Sequence, residues 1–147
     1  METRFDDSND FQESVNRFED MLAKNNLQYL DESSYDHIIH HYLKVGKIDN
    51  ALTACALSLQ HHPFSIELKF FYASTLLEAG ESKRSLDKIE EILTLQPTDA
   101  EYLSLKAEAL LMEGYYKSAE DIYLNLLPLA ENKAHTFYQL SECAQGD

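Results

Sequence analysis

The sequence predicts an all-α fold of paired helices, and three observations carry that prediction. Glycines recur at equal intervals, at Gly46, Gly80 and Gly114. Between them, apolar residues follow three- and four-residue steps, the spacing of one helix face. The 147 residues include only four Gly and three Pro, too few for an all-β fold with a turn about every ten residues. A regular interval of this size indicates stacked structural repeats.

The segment 1–31 is interpreted as an acidic stretch followed by a packing helix. Residues 8–25 predict an amphipathic helix, because Phe11, Val15, Phe18 and Leu22 fall on one stripe. This stretch has no glycine or proline of the repeating pattern. We therefore expect a helix that packs against the first repeat without belonging to it.

Each repeat is predicted to contain a helix A and a helix B joined by a glycine turn. Glycine ends helix A because it adopts the left-handed conformation of a helix C-terminus, and Pro63 and Pro97, separated by the same interval as the glycines, end helix B. The expected N-terminal caps are Asp49, Ser82 and the capping-box pair Thr98 and Glu101. The expected paired helices span 33–45, 49–61, 66–79, 83–95, 100–113 and 116–130, and a last helix spans 134–145.

Small residues stand where the two helices of a pair approach each other. In helix B, a small residue follows each glycine at the same distance along the chain: Ala51, Ser85 and Ala119. In helix A, an alanine precedes the second and the third glycine at the same distance along the chain: Ala73 and Ala107. We expect these side chains to be buried at the helix crossings.

Large residues recur in the same register as the small ones. They are Tyr35, Leu103 and Phe137 near the start of helix A, and Cys55, Ile89 and Tyr123 in helix B. With the small residues, including Ser141 in the last helix, this pattern resembles the tetratricopeptide repeat (TPR) family, which repeats at the same interval. The resemblance covers about residues 32–145 and departs from the family where Lys69 and Lys106 replace large apolar residues.

The resemblance implies a right-handed superhelix of stacked antiparallel helix pairs, a TPR-like α-solenoid. The expected segments are 1–31, repeats 32–65, 66–99 and 100–133, and a half-repeat or capping helix at 134–147. Residue 134 then starts a fourth helix A, with Phe137, Leu140 and Ala144 in the helix-A register.

In the family that the pattern resembles, the A helices line a concave groove that binds peptides. By register, the side chains expected in the groove are Asp36, His40, Lys44, Glu67, Phe70, Ser74, Glu78, Glu101, Ser104, Glu108 and Tyr138. Family members that bind the C-terminal tails of heat-shock chaperones clamp a carboxylate with basic residues there. Here Lys44 is the one basic residue of the set, so we expect no such clamp. The acidic groove favours a protein or peptide partner of basic and apolar character.

Charge and composition narrow the functional classes further. A formal net charge of −14 disfavours nucleic-acid binding, because phosphate backbones are repelled. The acidic groove also disfavours an RNA-binding helical repeat. The N-terminal stretch METRFDDSND has no apolar run, so we expect no signal peptide, no membrane partner and a cytoplasmic protein with reduced thiols.

No motif in the sequence indicates catalysis. There is no phosphate-binding glycine loop and no nucleophile elbow, so we expect neither an enzyme nor a cofactor. His37 and His41 lie one helical turn apart, a spacing that suits a metal, but we expect a partly exposed polar helix face there and not a metal site. The alternatives left open are a self-assembling segment of a longer scaffold, joined as a homo-oligomer through its chain ends, and a metal-binding or hydrolytic protein.

Overall fold

The computed structural model describes residues 2–129 and 133–146, and within these ranges every regular element is helical. The α-helices are α1 (Glu2–Ala23), α2 (Glu32–Lys44), α3 (Ile48–His61), α4 (Ile66–Glu78), α5 (Ser82–Leu95), α6 (Ala100–Met112), α7 (Tyr116–Leu126) and α8 (Lys133–Gly146). A short 3₁₀ helix, Leu127–Leu129, follows α7. The all-α prediction is confirmed, while the predicted helix end at residue 130 and segment end at residue 147 lie outside the described residues.

The chain forms two compact units that meet between Thr75 and Leu76 in the sequence. In the first unit, α1 packs on α2 and α2 packs on α3. In the second, α5 packs on α6, α6 on α7 and α7 on α8. In these cases helices that are consecutive in the chain are neighbours in space, as the prediction of paired helices requires for α2 with α3 and for α6 with α7. The helices α2, α4 and α6 are the predicted A helices, and α3, α5 and α7 are the B helices.

One glycine turn joins helix A to helix B in each of the three pairs. Gly46, Gly80 and Gly114 have φ angles of +78°, +83° and +87°, in the region where a side chain is strained. At the first turn the Gly46 N–H donates to the carbonyl of Leu43 at 3.2 Å, and the Lys47 N–H donates to the carbonyl of Tyr42 at 2.9 Å. The other two turns make the same pair of backbone bonds. This Schellman arrangement satisfies the last carbonyls of each A helix.

The predicted caps of the B helices are wrong. Helix α3 begins after Lys47 and α5 after Glu81, and neither side chain makes a capping hydrogen bond. Asp49 lies inside the first turn of α3, and the buried Ser82 donates instead to the carboxylate of Glu113. The reason is that helix B starts almost directly after the glycine turn, which leaves no place for the predicted cap.

Aspartate side chains cap two of the A helices. Asp31 precedes α2 and accepts from the Ser34 N–H at 2.8 Å. Asp99 precedes α6 and accepts from the Glu101 N–H at 3.0 Å. The predicted capping box on Thr98 is therefore wrong by one position, since Asp99 supplies the capping oxygen.

Aromatic packing holds α1 against α2 in the first unit. The ring of Phe18, fully buried, lies 6.4 Å from the ring of Tyr35 and 6.3 Å from that of Tyr42, both in edge contact. Helix α1 packs on α2, but the predicted apolar stripe is wrong at one end. Leu22 is 39% exposed, and Met21 is buried in its place.

Unlike Ser141, which is exposed on α8, the small residues on either side of the three glycine turns are buried as predicted. Each has no solvent-exposed surface in the structure: Ala51, Ala73, Ser85, Ala107 and Ala119. Backbones in a helix pair can approach closely at such positions because little side chain stands between them.

The contact face of α8 differs from the predicted one. Thr136 and Cys143 are buried and Leu140 is half-buried, and these positions share one face at helical spacing. Phe137 is 57% exposed and Ala144 is exposed, so the expected helix-A register for these two residues is wrong. The face of α8 that packs on α7 is rotated by one position from the prediction.

Candidate functional site

The candidate site consists of the predicted groove side chains, here called the A-helix face residues. In the first unit α2 carries Asp36, His40 and Lys44, and α4 carries Glu67, Phe70 and Ser74. His40, Lys44 and Glu67 are exposed. Asp36, Phe70 and Ser74 are half-buried. All six are thus at or near the surface, as residues that meet a partner must be.

A small cluster links three of these residues across α2 and α4. The His40 Nδ1 lies 2.6 Å from a carboxylate oxygen of Asp36 and 2.8 Å from its backbone carbonyl. Two acceptors at one nitrogen place the imidazole proton on Nδ1. The His40 ring stands edge-on to Phe71 at 4.8 Å, and the rings of Phe71 and Phe70 are 6.3 Å apart. The sequence placed Asp36, His40 and Phe70 on one side; the structure adds Phe71 between them.

Lys44 and Glu67 have no such partners. The structure records no ion pair or hydrogen bond from either side chain to a described residue, and neither side chain is buried. They are solvated charges at the surface of the first unit.

The second unit carries the remaining predicted residues. Glu78 is exposed at the end of α4, Glu101 is exposed on α6, and Tyr138 on α8 is 62% exposed. Ser104 and Glu108 on α6 are half-buried. Glu101, Ser104 and Glu108 share one face of α6 by helical spacing, whereas no recorded contact joins them to Glu78 or Tyr138.

Glu108 has the strongest electrostatic perturbation among the A-helix face residues. Burial raises its pKa, and the positive charge available on His135 acts in the opposite direction. The other predicted carboxylates of this unit, Glu78 and Glu101, lie in solvent.

The structure also brings together residues that sequence reasoning missed. The Tyr35 hydroxyl lies 2.7 Å from the His61 Nδ1, and the His62 Nε2 donates to the carbonyl of Leu30 at 2.7 Å. The ring of Tyr29 lies 5.5 Å from His61 and 5.2 Å from His62. The adjacent histidines before Pro63 were the available signal, but the tyrosines come from distant positions.

A polar pocket of ≈ 260 Å³ lies between α1 and the start of α2. Its lining residues are Glu13, Ser14, Arg17, Asp31, Ser33, Ser34 and His37. The Nδ1 of His37 is buried without a hydrogen-bond partner among the described residues, and its ring packs 5.2 Å from Phe11. The ring of His41 lies 6.1 Å from the same phenylalanine, so this histidine pair serves packing between α1 and α2.

Neither a metal-type cluster nor a membrane-spanning helix occurs in the described part of the chain. Among the side chains that the structure describes, in ranges 11–129 and 133–146, no group of three or more His, Cys, Asp or Glu is placed to hold a metal ion. In the same ranges, no helix has both the length and the apolar character needed to cross a membrane.

Comparison with family models and with curated proteins finds no match for this chain, whereas comparison with solved structures finds similar folds. No protein-family model and no curated protein sequence matches it. Among solved structures, it is similar to MamA (residues 41 to the end) from Desulfovibrio magneticus RS-1, with 23% identity and a TM-score of 0.69. That match covers 77% of this chain and 64% of the MamA chain, less than two thirds of its length.

Two domains of human RPAP3 are also similar. The first TPR domain matches with 18% identity and a TM-score of 0.67, over 76% of this chain and 88% of the domain. The second TPR domain, solved in complex with the HSP70 peptide SGPTIEEVD, matches with 14% identity and a TM-score of 0.65, over 75% of this chain and 92% of the domain. At such identities the likeness concerns the fold. Together with the glycine turns and the paired helices, it shows that this chain has a tetratricopeptide-repeat-like all-α fold.

Proposed function

We propose that the chain is a non-catalytic protein-interaction module that binds a protein or peptide through its A-helix face residues. The proposed repeats are 32–65, 66–99 and 100–133, with a half-repeat or capping helix after them and the packing segment 1–31 before them. The fold supports this proposal, since the similar second TPR domain of RPAP3 was solved with a bound peptide. Helix pairs present a row of side chains that an extended or helical segment can contact.

The charge of the A-helix face residues supports a partner of basic character. The acidic members of the set are Asp36, Glu67, Glu78, Glu101 and Glu108, against the single basic Lys44. The peptide in the RPAP3 complex contains two Glu, one Asp and no Lys or Arg. This chain carries the opposite preference, because complementary charge speeds association and like charge opposes it.

The aromatic cluster of the first unit is the observation that carries the proposal. Phe70 and Phe71 lie half-buried, with rings 6.3 Å apart, beside the Asp36–His40 pair. Exposed ion pairs contribute only about 0–1 kcal/mol each, so charge alone gives weak binding. An apolar side chain of the partner packed on Phe70 supplies the larger share of the affinity.

The test is a binding comparison with peptides enriched by the intact chain from a random dodecapeptide library. We expect Phe70→Ala to weaken binding of an enriched peptide more than Glu101→Gln does. Phe64→Ala is the matched control, because Phe64 is 90% exposed in the loop before α4 and is not one of the A-helix face residues. Association should slow with added salt, since the steering field is screened.

The proposal has a clear negative outcome. If Phe70→Ala retains its helical circular dichroism and binds as tightly as Phe64→Ala, the A-helix faces are not the binding surface. Enrichment of acidic peptides would show that the charge assignment is wrong.

Self-association is a second candidate, favoured by one observation on α8. Phe137 and Tyr138 are 57% and 62% exposed, and Leu129 before this helix is 71% exposed. Exposed large apolar residues of this kind are common at interfaces between protein chains. Light scattering coupled to size exclusion tests it: a dimer that Phe137→Ser converts to a monomer supports self-association, and a concentration-independent monomer contradicts it.

A further inference from the structure

Glu108 differs from the other acidic A-helix face residues in the second unit. It is half-buried, while Glu101, earlier on the same face of α6, is exposed. The structure records no hydrogen bond or ion pair for the Glu108 carboxylate among the described residues. By contrast, Glu90 pairs with Lys106 at 2.7 Å, and Glu113 accepts from Ser82. A carboxylate removed from water without a donor carries an uncompensated desolvation cost.

The groups that act electrostatically with Glu108 come from α7 and α8. From α7 comes Tyr123, which is only 3% exposed and whose hydroxyl is buried without a hydrogen-bond partner among the described residues. Burial raises the pKa of Tyr123, and the charge of Glu108 adds to this effect, so the phenol stays neutral. From α8 comes His135, whose positive charge lowers the pKa of Glu108, while the buried Cys143 of the same helix adds to the raised pKa of Tyr123. None of these groups supplies a recorded donor to the carboxylate.

Building on the proposed function, we propose that Glu108 is the charge-selective residue of the site and binds a Lys or Arg side chain of the partner. The ammonium or guanidinium donates hydrogen bonds to the carboxylate oxygens, and replaces the water that burial has removed. The exposed Glu101 gains little from a similar contact, because it remains solvated in the free protein. Glu108 therefore selects the cation, while Glu101 only adds to the long-range field.

The free protein carries a signature of this arrangement. Burial raises the pKa of Glu108 above its ordinary value of 4.5. Above the raised pKa the buried charge lowers stability, and this loss disappears as the pH falls through it and the carboxyl becomes protonated. Glu108→Gln should therefore raise the melting temperature near neutral pH, and the increase should vanish near the ordinary pKa. Glu101→Gln should show no such increase, and repeating the comparison in a His135→Gln background removes the influence of that side chain on Glu108.

Binding supplies the second measurement. The probe is a peptide enriched by the intact chain from the random library, compared with the same peptide in which its Lys or Arg is replaced by acetyl-lysine or citrulline. We expect Glu108→Gln to weaken binding of the cationic peptide about tenfold or more, and Glu101→Gln to weaken it by about twofold or less. The wild-type protein and Glu108→Gln should bind the neutralised peptide equally. That result would show that the interaction lost in Glu108→Gln is the one between Glu108 and the Lys or Arg of the peptide.

The outcomes separate this inference from the proposed function. Tight peptides that lack Lys and Arg, or equal losses in Glu108→Gln and Glu101→Gln, overturn the role of Glu108 and leave the interaction module intact. Failure to enrich any peptide counts against the interaction module itself and against Glu108 with it. A variant that both loses the cationic peptide and melts higher when free supports the inference, because a merely structural residue would melt lower.

Discussion

Ala107 offers a direct test of the helix pairing in the second unit, and we predict that Ala107→Leu destabilises the protein. The side chain is fully buried in a cluster with Ala119, Tyr123 and Cys143. These residues belong to α6, α7 and α8, so the substitution acts where three helices meet. Leucine brings extra carbon atoms into an interior that is packed like an organic crystal.

Two opposing effects decide the sign of the change. If the site had room, burying the added carbons would stabilise the fold by about 0.8 kcal/mol for each methylene. Without room, overpacking costs about 1–3 kcal/mol. Because Ala107 and its neighbour Ala119 have no exposed surface, we expect the second effect to dominate. At about 3 °C per kcal/mol for a chain of this size, the melting temperature should fall by about 3–9 °C.

The assay is thermal and urea denaturation followed by circular dichroism. Ala100→Leu is the matched control, since Ala100 is exposed at the start of the same helix and surface changes stay within about 0.5 kcal/mol. Equal melting temperatures for the two variants, or a rise for Ala107→Leu, would refute close packing of α6 at this position.

Three further predictions concern single residues. Burial raises the pKa of the Cys55 thiol to about 12, so a thiol reagent should modify it only after unfolding, and a fast reaction of Cys55 in the native protein would contradict its burial. Gly80→Ala should lower the free energy of unfolding, measured by urea denaturation, by about 1–2 kcal/mol. The φ angle of Gly80 is +83° and nothing lies within 4 Å of an added Cβ, so the cost comes from the backbone conformation and not from a clash. An unchanged free energy of unfolding would contradict the left-handed turn. Hydrogen bonds from Ser34 hold the pKa of Asp31 below its ordinary value of 3.8. The Asp31 carboxylate therefore stabilises the fold above pH 3.8, and this stabilisation is lost as the pH falls through the lowered pKa. The difference in melting temperature between the wild-type protein and Asp31→Ala should narrow in acid, and a constant difference would argue against that hydrogen bond.

The sequence predicted the helix pairs because its clearest signal reports backbone conformation. A glycine at a fixed spacing marks a left-handed turn, and Gly46, Gly80 and Gly114 all adopt one. Cap prediction failed for α3 and α5 because capping depends on the exact residue at which a helix starts. There the glycine turn, and not the side chain of Asp49 or Ser82, decides the start.

The site was predictable in register but not in contacts. Helical spacing placed Asp36, His40 and Phe70 on surface positions, whereas the edge contact of His40 with Phe71 depends on how α2 meets α4. Glu108 and Glu101 look alike in the sequence. The packing of other helices around α6, which the sequence does not show, makes Glu108 a half-buried carboxylate and leaves Glu101 in water.

The glycine turns also explain how this fold can form from a sequence that matches no family model. Each turn is closed by two main-chain hydrogen bonds and by a glycine, which has no side chain. The turn therefore does not depend on the identity of the neighbouring side chains. Mutations can then accumulate along the helices while the backbone course is kept. This chain matches no family model, yet its fold is similar to solved TPR domains at 18% and 14% identity. In this chain, the spacing of the glycines indicates the backbone fold although the residues between them match no family model.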